Sequence, residues 1–175
     1  EKLLCYSELP FHLLSNLELP VTLAQPHRDL PAPTRTLLLS GQNSEQKRAD
    51  LLAYFHQTWD QYESLFTCLA DPQAWFTKAI PLRHPLIFYF GHTATFYINK
   101  LMAGRLIDAR LNDRIEAMMA IGVDEMSWDD LNDSHYDWPT VDEVREYRGR
   151  VKALVSDLIQ TMPLTLPIDW ESPAW

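Results

Sequence analysis

Residues 82–100, LRHPLIFYFGHTATFYINK, form the most apolar segment of the chain and constrain its fold more than any other stretch. His84-Pro85 is a helix-start signal, since proline at the first turn has no N–H to leave unbonded, and Gly104 follows as a stop. The spacing predicts a helix from Pro85 to about Met102. His92 lies in its middle and shares a face with Phe88, Tyr89, Thr95, Phe96 and Asn99. That face is aromatic and largely apolar, so His92 is expected to point into the protein interior, where an imidazole needs a partner. From the residues alone, a core histidine satisfied by a hydroxyl or carbonyl is the commoner outcome, and a metal is the rarer one.

The neighbouring segments are helical too. Apolar residues at Leu51, Leu52, Phe55, Trp59, Tyr62, Leu65, Phe66 and Leu69 follow a three-and-four spacing from Ser44 to about Leu69, and Asp71-Pro72 stops the run. His56, beside that stripe, reads as a half-exposed helical histidine. A short helix is expected over 112–121, capped by Asn112, with Ile115, Met118 and Met119 inward and Gly122 ending it. Pro139-Thr140 opens the last long helix. Thr140 and Glu143 have capping-box spacing, and Val141, Val144, Tyr147, Val151, Leu154, Val155, Leu158 and Ile159 form its stripe as far as Met162-Pro163. Arg145, Arg148, Arg150 and Lys152 flank the stripe, where ion pairing along the helix accounts for most of them.

Three long helices and a short one predict an all-α bundle. The division expected is a Pro-rich leader over 1–40 that packs on the body, and a helical domain over 41–175. Ser172-Pro173 is an N-cap and first-turn pair, so a further long helix is expected to start there, in a longer protein of which this chain is a piece. No strand alternation, internal repeat, phosphate-cradling glycine loop or nucleophile elbow occurs.

Charge excludes some partners. Fifteen Lys and Arg against twenty-four Asp and Glu leave a formal charge of −9, which repels nucleic acid and anionic membranes. No apolar run reaches the roughly 18 residues of a membrane span, and the N-terminal residues lack a basic segment followed by an apolar signal core. Cys5 and Cys68, in no metal-like spacing, read as free thiols of a reducing cytosol, so the expected location is cytoplasmic. The connection GVDEMSWDDLNDSHYDW, residues 122–138, is too long for a plain linker. It interleaves acids with aromatics, a combination suited to a cationic amine.

These segments together resemble a known family. HPLIFYFGHTATFYINKL (84–101) and AIGVDEMSWDDLNDSHYDWPTVDEVREYR (120–148) resemble the N-terminal DinB-like domain of 5-histidylcysteine sulfoxide synthase, the non-haem iron enzyme of ovothiol biosynthesis. RADLLAYFHQTWDQYESLF (48–66) is similar to that domain's first helix, and the likeness spans about 38–175. The related ergothioneine sulfoxide synthases also place a proline seven residues before the second-helix histidine, as Pro85 and His92 stand here. The resemblance implies a DinB-like up-down bundle that lacks its final long helix in this chain. It implies an iron(II) centre with three histidine ligands that joins cysteine sulfur to the histidine imidazole using O2. His92 matches the one ligand supplied by this domain. The other two belong to a His-x-x-x-His-x-Glu motif on the next helix, where i, i+4 spacing sets both imidazoles on one face. That motif is absent from these 175 residues, as is the family's sulfatase-modifying-factor-like domain.

No catalytic residue is therefore assigned within the chain, which alone is expected to be inactive. Where the ergothioneine enzymes carry substrate-meeting arginines, this chain offers carboxylates, and Asp124, Glu125, Trp128 and Asp129 are the expected substrate-binding residues, meeting ammonium groups of free amino acids. The alternatives are an ergothioneine- or selenoneine-synthase-type domain, and, from a different class, a non-catalytic helical docking module with His92 as core filler.

Overall fold

The computed structural model describes residues 36–81, 83–121, 136–172 and 174–175. Asn43 opens α1 (Ser44–Ser64) by accepting a hydrogen bond from the Gln46 N–H at 2.9 Å. The helical path continues to Cys68 as the expected length required, but its last four residues tighten into a 3₁₀ turn. Asp71 then caps a second 3₁₀ turn, Pro72–Trp75, through the Gln73 N–H at 2.8 Å. This turn buries Trp75, which stacks on Phe66 at 5.4 Å and meets Phe90 edge-on at 5.2 Å.

The segment singled out by its apolarity forms α2 (Leu86–Ala103), with Pro85 at the N-cap. Ile87, Phe88, Phe90, Gly91, Ala94, Thr95 and Ile98 are all buried, which makes α2 the central helix. Its C-terminus closes as a Schellman motif, with Leu106 N–H bonded to Leu101 O at 2.9 Å and Arg105 N–H to Met102 O at 3.0 Å. The left-handed residue is Arg105 (φ 55°), not Gly104. A Cβ on Gly104 would sit 3.2 Å from Lys100 O, so the glycine serves close packing at this turn and not its handedness.

Asn112 caps α3 (Asp113–Met118) by accepting from Ile115 N–H at 3.0 Å. Ile115 and Met119 are buried as the spacing predicted, whereas Met118 is only half-buried and Glu116 is fully enclosed. The Glu116 carboxylate is satisfied there by Leu111 N–H (2.9 Å), Asn112 N–H (3.0 Å) and Arg110 Nη1 (2.9 Å). Helix α4 (Val141–Thr161) has the capping box expected at Thr140 and Glu143 and ends at Met162.

Helix α4 packs against both α2 and α1, while the backbones of α1 and α2 stand apart. Aromatic side chains bridge that gap: Phe55 and Trp59 reach Tyr97 at 5.7 and 5.9 Å, and Tyr62 donates to Tyr89 O at 2.7 Å. Every described regular element is helical, so the all-α architecture holds. Of the leader over 1–40, only residues 36–40 are described. There Leu39 O accepts from Ile168 N–H at 2.8 Å and Leu38 O accepts from Lys47 Nζ at 2.7 Å. Ser172 takes the Ala174 N–H on its hydroxyl at 3.2 Å and the Trp175 N–H on its carbonyl at 2.9 Å, the bonding of a capped turn. No helix among the described residues is long and apolar enough to cross a membrane.

The flanking cations correct the expectation of pairing along α4. Only Arg145 pairs within the helix, with Asp142 at 3.0 Å. Lys152 reaches Asp60 on α1, Arg150 donates to Leu111 O at 3.0 Å, and Arg148 is buried to 1% exposure. The apolar stripe on α4 is wide enough that residue 148 falls inside it, and α1 lies on that side with a carboxylate to receive the charge.

Candidate site around His92

His92 does not point into the bundle interior. It is half-buried at the edge of α2, because the ring lies off the centre of the buried arc. Phe88 stacks beneath it at 5.2 Å and 11°, and Phe96 leans on it at 6.4 Å. Its Nδ1–H donates to Met119 O at 2.7 Å. A carbonyl only accepts, so this bond fixes the neutral ring as the Nδ1–H tautomer and leaves the lone pair on Nε2. Nε2 has no hydrogen-bond partner among the described residues. Metal-bound histidines are held in this way, by a carbonyl on the far nitrogen that sets ring orientation.

The support is built locally. A Cβ on Gly91 would come within 2.6–2.9 Å of the Met119 side chain, so glycine is what lets the end of α3 approach α2. Met119 is fully buried. The carbonyl that holds His92 is thus anchored by the side chain of the same residue.

On its other side His92 borders a cleft of about 490 Å³. Thr58, Trp59 and Tyr62 of α1 form one wall, Thr93, Phe96, Tyr97 and Lys100 of α2 the other, and Arg148 of α4 contributes between them. Burial pushes the Tyr62 and Tyr97 phenols up from their ordinary pKa, with the Arg148 charge opposing it in both. Both are neutral hydroxyls at physiological pH.

Arg148 is the residue that sequence reasoning missed. Its Nε donates to Glu63 Oε1 at 2.9 Å, and its Nη1 donates to Phe90 O and to Thr93 Oγ1 at 2.8 Å. The guanidinium lies 4.5 Å from the Trp59 ring centre, 5.3 Å from Tyr62 and 4.4 Å from Phe90. Burial lowers its pKa, and the Glu63 carboxylate works against that shift. Its two α2 partners, Phe90 and Thr93, flank His92 in sequence, so Arg148 fixes the turn from which His92 projects. The signal for it was a charged residue at a position where the Val144, Tyr147 and Val151 stripe demanded an apolar one.

The other two described histidines are accounted for structurally. His56 bonds Ser156 Oγ at 2.8 Å and ties α1 to α4. His84 is buried, stacked on Phe88 at 4.1 Å, with Nε2 3.2 Å from Ile121 O. Asp124, Glu125, Trp128 and Asp129 lie outside the described residues. At the described end of their loop, Tyr136 and Trp138 stack at 4.8 Å and Asp137 pairs with Arg114 at 3.3 Å. Among the described residues no group of three or more His, Cys, Asp or Glu side chains is placed to hold a metal ion. One imidazole fits one ligand position, and a single ligand does not retain a metal specifically.

The molecule is thus a helical bundle with a tethered histidine at the lip of an aromatic cleft. The sequence profile of the DinB superfamily matches residues 54–174, and the chain belongs to that superfamily. No curated protein matches the chain.

Proposed function

We propose that this domain supplies one histidine ligand, His92, to a non-haem iron(II) centre of a sulfoxide synthase that joins cysteine sulfur to the histidine imidazole with O2, as in ovothiol biosynthesis. The single observation that carries the reading is the Nδ1–H bond to Met119 O, which presents the Nε2 lone pair outward beside a cleft. The DinB fold is compatible with metal-binding helical domains. The remaining two ligands come, in this reading, from a further helix of the full protein. Iron, when bound, supplies the oxygen chemistry. The chain's own residues hold the ligand ring, exclude water with aromatic walls, and line the approach to it. A sulfatase-modifying-factor-like domain completes the substrate pocket in this reading, and the cytosol is its setting. An ergothioneine- or selenoneine-type synthase is a variant of the same proposal that differs only in substrate.

The test is His92→Ala in the full protein. Iron retention, measured by metal analysis after desalting, is expected to fall to background together with sulfoxide formation. Helical content should stay unchanged, since the lost bond is worth only about 1 kcal/mol. Iron retained at wild-type stoichiometry would remove His92 as a ligand. The docking-module reading draws on the absence of a complete ligand group among the described residues. It predicts that the full protein carries no iron at all.

A further inference from the structure

The cleft beside His92 is chemically selective in a way its proposed iron role does not require. The chain has twenty-four acidic residues, yet among the described residues no carboxylate lines this cleft. Two cations do. Lys100 rests its Nζ 4.9 Å over the Phe96 ring and forms no ion pair among the described residues. Arg148 commits Nε and Nη1, while Nη2 makes no hydrogen bond to a described residue. Glu63, which offsets its charge, lines the separate hollow between α1 and α4 and not this cleft. A guanidinium edge buried among aromatic rings, with a donor to spare, is fitted to a planar oxyanion. Trp59, Tyr97 and Phe96 offer flat apolar surface for the rest of such a ligand.

We propose that the cleft between α1 and α2 binds a small organic carboxylate with a planar or apolar body, its carboxylate directed to Arg148 and Lys100 and its body against the aromatic walls. This deepens the iron reading by naming the chemical class of ligand beside His92, and rests on it only for the identity of the site. The attraction is electrostatic within a largely apolar enclosure, so it is stronger there than on an exposed surface.

The probe is 3-phenylpropionate, titrated into the metal-free 175-residue chain at low salt, with 3-phenylpropionamide as its uncharged counterpart. Binding is followed by calorimetry and by the His92 and Tyr97 ring resonances. The carboxylate is expected to bind and the amide to bind at least tenfold more weakly. Lys100→Met, an exposed site whose variant should fold normally, is expected to weaken the carboxylate three- to tenfold and leave the amide unchanged. Arg148→Lys should cost more, because a point charge lacks the planar fork. Equal binding of carboxylate and amide overturns the proposal, as does no binding of the carboxylate or shifts confined to resonances outside the cleft. No metal enters this experiment, so its failure is separable from failure of the iron reading, which is judged on metal retention by the full protein.

Discussion

At the scale of single residues, Arg148 carries the largest unpaired risk in the domain. Removing it takes the charged donor from three groups that now share its guanidinium: the Glu63 carboxylate, Phe90 O and Thr93 Oγ1. Arg148→Met fills much of the volume but supplies no donor, so Glu63 keeps only the Trp59 Nε1–H and Phe90 O and Thr93 Oγ1 keep only their mutual bond from among these contacts. Breaking a fully buried ion pair costs about 3–5 kcal/mol, and because Glu63 keeps 37% exposure and can turn to water, a loss of about 2–3 kcal/mol is expected. Urea denaturation of the variant reads this directly, and an unchanged midpoint would show the cage to be ornamental. His92, by contrast, was found from sequence as a candidate but given the wrong surroundings. Helical periodicity placed it on an aromatic face. It could not say that the buried arc of α2 is centred one or two positions away, because that depends on where α4 and α3 lie.

At the scale of elements, the caps were readable and the turn after α2 was not. Thr140 and Glu143 bond reciprocally, Thr140 N–H to Glu143 Oε2 at 2.7 Å and Glu143 N–H to Thr140 Oγ1 at 3.2 Å. The Thr140 backbone N–H and, at 2.8 Å, its hydroxyl both donate to Glu143 Oε2 and hold that carboxyl below its ordinary pKa of 4.5, with Arg114 adding to the effect. A depressed folded value means that the stabilisation is complete above the ordinary glutamate range and is lost as pH falls through the lowered one. Acid titration is therefore expected to loosen the first turn of α4 below about pH 4.5. Amide exchange at residues 141–144 follows this, and Glu143→Gln should flatten the pH dependence.

The end of α2 makes a second element-scale prediction. Arg105 holds a left-handed conformation, which costs a side-chain-bearing residue about 1–2 kcal/mol. Arg105→Gly removes that strain and pays some of it back in unfolded-state entropy. A net gain of about 0.5–1 kcal/mol is expected, seen as a higher melting temperature. A lower melting temperature would mean that the arginine side chain makes a contact worth more than the strain. From sequence, Gly104 was the expected stop signal, and α2 does end at Ala103 with Gly104 as its C-cap; the left-handed residue one position further on had no sequence signal.

At the scale of the whole molecule, the arrangement of three long helices leaves a groove open between α1 and α2. Helix α4 closes one side of the α1–α2 pair, and the aromatic bridges hold the other side apart as a cleft. A chain with one outward-facing imidazole and no convergent partners among its described residues is expected not to retain iron(II) by itself. Stoichiometric binding at micromolar affinity or tighter, measured by anaerobic titration, would contradict this.

Sequence by itself determined the four described α-helices and most of their ends, because periodicity and capping are local properties carried within a few residues of each boundary. It also singled out His92, since an imidazole inside an apolar run is visible without coordinates. Tertiary structure alone decided which way His92 faces and which nitrogen it offers, because the Met119 carbonyl that fixes the tautomer is 27 residues away. It alone decided the fate of Arg148, whose partner Glu63 is 85 residues distant. Burial of a charge depends on what another helix brings to meet it, and no local pattern in α4 contains that information.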